Sequence, residues 1–208
     1  MAIKKSFWVA ASALILSGCA GSAVYQQPET YQPGSNEKVI DRPLDDVWAS
    51  SVPALGKQFF DINNIDRSSG LINISYSGNP EEYIDCGRID SQVFNLRGKR
   101  HYNFAASSPS VRYEIMERGN LFIVDRKQSL NGRINLIFEA INKKETRVTA
   151  NTKYVLNRLI NIIPIAAGSP RTVTDSITFN SNSGAAFTQG TRCVSTGKLE
   201  KEVLSMIQ

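Results

Sequence analysis

Apolar and polar residues recur with two different periods along this chain, and the changes of period outline its elements. Leu44, Val47, Trp48, Val52, Leu55 and Phe59 recur at helical spacing and share one face. Pro43 suits the first helical position, and the charges of Asp45 and Asp46 favour a helix amino terminus. Pro53 interrupts the stripe and is expected to bend the helix near Ala49, whose carbonyl loses its donor. Trp48 lies on the stripe, where it serves either as core or as a stacking contact for a ligand.

The period then shortens to two. A short strand at Val39–Asp41 precedes the helix; after it, Phe60–Asp66 and Leu71–Ser77 read as strands joined around Arg67-Ser68-Ser69-Gly70, with Ile72, Ile74 and Tyr76 on one face. Ile84–Leu96 reads as one irregular strand around Cys86. Val111, Tyr113 and Ile115 alternate again. Asn131-Gly132, between Leu121–Leu130 and Arg133–Asn142, is the strongest hairpin signal, because Asn-Gly accepts the positive φ angles of a type I′ turn. Ile134, Leu136, Phe138 and Ala140 then form its inward face. Arg147–Leu156 alternates through Val148, Ala150, Thr152 and Tyr154, and Thr172–Phe179 adds a last strand. Ser195 or Thr196 can cap a closing helix bearing Leu199, Val203, Leu204 and Ile207. Strands in a run, flanked by helices, predict an α+β fold in which a curved antiparallel sheet packs on a long N-terminal helix and a C-terminal helix.

Composition changes this picture little. Of 208 residues, 41% are apolar and 21% charged, which argues against global disorder or a fibrous repeat. No apolar run reaches the roughly 18 residues of a spanning helix. The formal charge of +5 includes Lys4 and Lys5; without them 22 Lys+Arg face 19 Asp+Glu, a poor basis for nucleic-acid binding by charge, and none is expected. One His and three Cys leave little for a metal site, and no metal or cofactor is expected.

The amino terminus changes the picture most. Met1–Lys5 carries two positive charges, Phe7–Leu16 is apolar but for Ser12, and Leu16-Ser17-Gly18-Cys19 follows at once. This is the layout of a secretory signal. Leu-Ser-Gly-Cys resembles the lipobox of bacterial lipoproteins. The resemblance implies that residues 1–18 are a signal peptide and that Cys19 is acylated on sulfur and, after cleavage, on its new amine. Acyl chains anchor a protein to a bilayer without a transmembrane helix. Ala20 stands where, in Gram-negative lipoproteins, Asp favours retention at the inner membrane, so the resemblance implies the outer membrane, facing the periplasm. Residues 19–38 are expected to be the lipidated Cys and a flexible tether, rich in Gln, Ser and Gly around Pro28 and Pro33, which would span about 60 Å at full stretch. Tyr25 and Tyr31 could instead dock on a partner. Residues 39–208 are expected to form a single α+β domain.

Asp41-Arg42-Pro43-Leu44-Asp45-Asp46-Val47-Trp48, the hairpin Asp66-Arg67-Ser68-Ser69-Gly70-Leu71-Ile72 and the final helix, behind a lipobox, resemble the helix-grip domains of outer-membrane lipoproteins such as BamC of the barrel assembly machine. The likeness is one of pattern and carries over no catalytic residue.

Candidate chemistry is thin. With Cys19 assigned to lipid, Cys86 and Cys193 remain as an even pair in an oxidising compartment, and a disulfide is expected. Arg97, Lys99, Arg100 and His101 form a basic cluster able to bind phosphates of anionic lipid or lipopolysaccharide, or simply to face solvent. Val155–Ala167 is the most apolar stretch outside the signal; Leu159, Ile160, Ile162 and Ile163 within it, with Trp48, either fill the core or contact a partner or ligand. No Gly-x-Ser-x-Gly, His-Glu-x-x-His or phosphate-loop pattern occurs. The expectation is a non-enzymatic lipoprotein serving an envelope assembly or secretion complex through protein contacts; the alternative is a carrier or sensor of a lipid or other apolar ligand in a helix-grip groove.

Overall fold

A computed structural model describes residues 20–29, 35–58 and 60–208, so the expected signal peptide and Cys19 lie outside the described residues. In chain order the elements are β1 (Ala20–Gln26), β2 (Glu37–Ile40), α1 (Leu44–Gly56), β3 (Asp61–Asp66), β4 (Leu71–Gly78), β5 (Ile84–Asp85), β6 (Arg88–Asn95), β7 (Gly98–Ala105), β8 (Ser110–Glu117), β9 (Asn120–Ala140), β10 (Thr146–Pro164), β11 (Arg171–Asn180), β12 (Gly184–Ala186), β13 (Arg192–Ser195) and α2 (Lys198–Ser205). A 3-10 turn, Pro80–Glu82, lies between β4 and β5.

The spine is the antiparallel pair β9–β10, in register from Thr146 opposite Ala140 to Pro164 opposite Phe122. At roughly 3.3 Å per residue, the 19 residues of β10 make it about 60 Å long. Its partners change along its length. Near the turn at residues 141–145, β4 and then β3 extend the sheet on the β9 side while β2 pairs with the start of β10; at the far end, β8 pairs with the first part of β9 and β11 with the rest of β10. Two three-stranded antiparallel sheets, β1-β6-β7 and β12-β13-β5, complete the fold.

One face of the spine is buried almost throughout. On β9 the inward positions are Val124, Arg126, Gln128, Leu130, Ile134, Leu136 and Phe138; on β10 they run from Thr146 and Val148 through Tyr154 and Leu156 to Ile160 and Ile162. The turn half packs against α1 and α2. Trp48 meets the ring of Phe138 edge-on at 5.1 Å between centroids, and Leu55, Leu199, Val203 and Ile207 fill the same core. The opposite face is solvated, and its register is marked by an amide ladder in which Asn63 donates to Asn73 (2.8 Å), Asn73 to Asn135, and Asn36 to Asn151 (3.0 Å).

The expected α+β class with a helix-grip arrangement is overturned. Among the described residues strand accounts for 59% and helix for 13%, in three antiparallel sheets with two short helices. The reason is one of lengths: α1 has 13 residues, about 20 Å at 1.5 Å each, and cannot cover a 60 Å sheet. Apolar strands cover the remainder. Pro53 is exposed within α1, whose buried side chains are Val47, Trp48, Ser51 and Leu55.

Asn131-Gly132 is also not a turn. Both residues lie inside β9, paired to Val155 and Tyr154 on one side and to Ser77 and Tyr76 on the other. The inward parity set by Leu130 continues unbroken to Ile134, and burial on both sides of the pair outweighs its local preference. Gly132 answers a packing need: a Cβ there would come within 3.2 Å of Leu199 Cδ2 from α2. The segment Ile84–Leu96 resolves into β5, which pairs with β13, and β6, to which β7 adds a hairpin strand. Ala20–Gln26, within the stretch expected to be a tether, forms β1, and Tyr25 donates to the carbonyl of Arg192 at 3.0 Å.

Buried polar ties hold α2 to the sheet. The Tyr154 hydroxyl donates to the Glu200 carboxylate at 2.8 Å and Ser181 Oγ at 2.7 Å; burial and this carboxylate push the phenol far above its ordinary range. Lys38 Nζ donates to the carbonyls of Ile207 (2.6 Å) and Leu204 (3.3 Å), a cation at a helix carboxyl end.

Cys86 and Cys193 form the expected disulfide, buried between β6 and the β12-β13-β5 sheet. It spans 107 positions, for which chain entropy gives about 4 to 5 kcal/mol as an upper figure. The double substitution Cys86→Ala/Cys193→Ala is expected to lower unfolding free energy by about 2 to 5 kcal/mol in urea titrations, against unchanged stability if the bridge does not form. Gly132→Val should cost about 1 to 3 kcal/mol by driving Leu199 from its seat, measurable in the same titration.

Candidate functional site

Three connections meet at the end of the spine remote from residues 141–145: the β6–β7 turn, the β8–β9 turn at Arg118 and Gly119, and the loop of residues 165–170. The Ile165 amide donates to the Leu121 carbonyl at 3.0 Å, which brings the loop beside the start of β9. Met116 pairs with Leu121, and β1 crosses directly over Met116. Strand order therefore places the β6–β7 turn at this same end, because the β1–β6 pair runs from Tyr25 opposite Ile89 to Ala20 opposite Phe94 as it approaches.

The basic cluster is divided by strand alternation. Arg100 points inward and pairs with Glu114. His101 points outward, its Nε2 2.6 Å from Asp90 Oδ2, and the contact with His101 and a bond from Asn103 hold the Asp90 carboxyl below its ordinary range. Arg97 and Lys99 have no ion-pair partner among the described residues; Lys99 Nζ lies 5.1 Å from the ring centroid of Phe94. Between them and Phe94 stands Leu96, 95% exposed. The four residues therefore do not make one anion patch: two are paired in the β1-β6-β7 sheet and two flank an exposed leucine at its tip.

The apolar contact residues are divided in the same way. Trp48 is in the core at the opposite end. Ile160 and Ile162 face inward and form a small second core with Val124, backed by Tyr113, Ile115, Phe122 and Val173. Leu159 and Ile163 face the other side of β10 and are half-buried. The groove between a long helix and a curved sheet, which the carrier reading required, is not part of this fold.

Between the two cores lies a buried polar layer. Arg158 is 2% exposed and held on three sides: its Nε and Nη2 donate to the two carboxylate oxygens of Asp175 at 2.9 and 2.7 Å, its Nη1 to Thr191 Oγ1 at 3.4 Å, and its Cζ lies 3.7 Å from the ring centroid of Phe187. Gln128, opposite Arg158 in register, donates to the carbonyls of Ala106 (2.8 Å) and Ser108 (3.3 Å). Arg126 is also 2% exposed, yet its Nε and Nη2 have no hydrogen-bond partner among the described residues. Burial, and next the charge of Arg158, lower its guanidinium to about 10. Sequence reasoning passed over this layer, although its signal was present: Arg126, Gln128 and Arg158 occupy inward positions of the same alternation that buries Leu130 and Leu156.

Chemically this is a scaffold of ties. No group of three or more His, Cys, Asp or Glu arranged to hold a metal occurs among the described residues. A polar groove of about 530 Å³ on the solvated face is lined by Asn135, Asn151, Lys153, Asn180 and Ser183. No family model, curated protein or solved structure matches the chain.

The two arginines should respond oppositely to loss of charge. Arg126→Leu is expected to leave stability unchanged or raise it, because it removes a buried cation that has no hydrogen-bond partner among the described residues, whereas Asp175→Asn should cost about 3 to 5 kcal/mol by leaving Arg158 uncompensated. Equal losses in urea titrations would mean that Arg126 has a partner.

Proposed function

We propose that this chain is a bacterial envelope lipoprotein, anchored through acylated Cys19 to the outer membrane and facing the periplasm, that serves without catalysis as an accessory or structural component of an assembly or secretion complex. The sequence Leu16-Ser17-Gly18-Cys19 behind a charged and apolar leader carries the reading. The buried Cys86–Cys193 bridge supports it, since such bridges persist in oxidising compartments outside the cytoplasm. The polar contacts of Arg158 with Asp175, Tyr154 with Glu200 and Tyr83 with Glu202 (2.7 Å) tie strands, the chain before β5 and α2 to one another, which favours a binding scaffold over a reaction centre.

Growth with labelled palmitate tests the anchor: the protein should take up label, and Cys19→Ala or globomycin should abolish uptake and release the variant into the soluble periplasmic fraction. Label that persists in Cys19→Ala would refute acylation at this residue. Crosslinking in living cells should recover a reproducible protein partner, and repeated recovery of none would defeat the complex reading.

A further inference from the structure

Ala20, where the described chain enters β1, and the exposed β6–β7 tip lie at the same end of the molecule. Ala20, the residue bonded to Cys19, is already in β1 and sits opposite Phe94. Phe94 is two residues from Leu96, the most exposed large apolar side chain among the described residues at 95%, and is itself 44% exposed. The fit of β1 is specific: a Cβ at Gly21 would lie 2.6 Å from Met116 Cβ and 2.9 Å from the Gln92 carbonyl, so only glycine allows this strand to cross so closely. No flexible stretch among the described residues separates residue 20 from the folded sheet.

We propose that the tip Phe94-Asn95-Leu96-Arg97-Gly98-Lys99 enters the headgroup region of the leaflet that holds the acyl chains of Cys19, giving the protein a second membrane contact that fixes its orientation. The inference rests on the acylation of Cys19 proposed above. The chemistry of this end matches a surface of anionic phospholipid. Leu96 and Phe94 present apolar area; Arg97 and Lys99 flank them, and neither the tip nor the β8–β9 turn residues Arg118 and Gly119 include an acidic side chain. The neighbouring loop adds exposed Ile165, Ala166 and Ala167, with Arg171 just beyond, 3.8 Å from Glu117. Each contact alone would be weak. Joined within a few residues to an acyl anchor, the tip is held at high effective concentration beside the bilayer, so a weak preference is enough to order the domain. The spine then carries α1 and α2, at its other end, away from the membrane.

The test uses the full chain, acylated in cells, purified and reconstituted into phosphatidylethanolamine–phosphatidylglycerol vesicles. With Cys86 and Cys193 bridged and Cys19 acylated, Leu96→Cys offers one thiol for an environment-sensitive fluorophore; Lys143→Cys, in the turn at the opposite end, is the control. The label at position 96 should shift to the blue and be quenched several-fold more by headgroup-region nitroxide lipids than the label at 143, with the difference shrinking in vesicles lacking phosphatidylglycerol. Equal, water-like emission at both positions in protein whose intact mass includes the acyl chains would overturn the orientation and leave the lipoprotein reading standing. An intact mass without acyl chains would overturn both. A blue shift at 96 in cell envelopes without quenching in vesicles would assign the tip to a protein contact and overturn the lipid proposal.

Discussion

The fold depends on the unbroken pairing of β9 with β10. Because side chains of a strand alternate with a period of two, a pair in register over 19 residues commits every second side chain to one face for its whole length. That face is too long for any single partner. The helices cover one end, the bridged β12-β13-β5 sheet the middle and the β1-β6-β7 sheet the other end. A slip of one residue would expose Leu136, Tyr154 and Leu156 together, so the register protects all three regions at once.

Local signals in the sequence were legible where they agreed with this long-range commitment. The strands at Leu71, Val111 and Thr172 and the bridge between Cys86 and Cys193 follow from alternation and cysteine parity. Trp48 sits in the core because it shares the stripe of Val47 and Leu55. The signals misled where tertiary packing opposed them. Asn131-Gly132 has turn chemistry but strand parity on both sides, and the seat it gives Leu199 exists only when α2 has docked. The apolar stripe beginning at Leu44 suggested a helix long enough to organise a sheet; Gly56 ends it after 13 residues. The basic run at residues 97–101 looked like one patch because proximity in sequence hides the alternation that turns Arg100 inward and His101 outward.

The buried polar layer sets the two halves of the spine apart. Hydrophobic clusters on either side of Arg126, Gln128 and Arg158 do not merge. Arg158 fits its place through a bidentate carboxylate and an aromatic face, and Gln128 pins the chain ahead of β8. These bonds have directions, unlike apolar contacts, and so they specify which strand lies against which. The end bearing β1 and the tip at Leu96 thus has a small core of its own, joined to the remainder by the continuous backbones of β9, β10 and β11.

The placement of β2 has a consequence for how the protein folds. Glu37–Ile40 pairs with Thr146–Thr149, more than a hundred residues later, and Lys38 closes on the carbonyls of Leu204 and Ile207. Unlike β1, which meets β6 early, β2 therefore finds no native neighbour until most of the chain has emerged. Loops this long must close before their contacts reward closure, which places the protein among slow folders and leaves its strand edges open in the interval. The amino-terminal strand β2 is thus locked in place only when the last helix, α2, has docked.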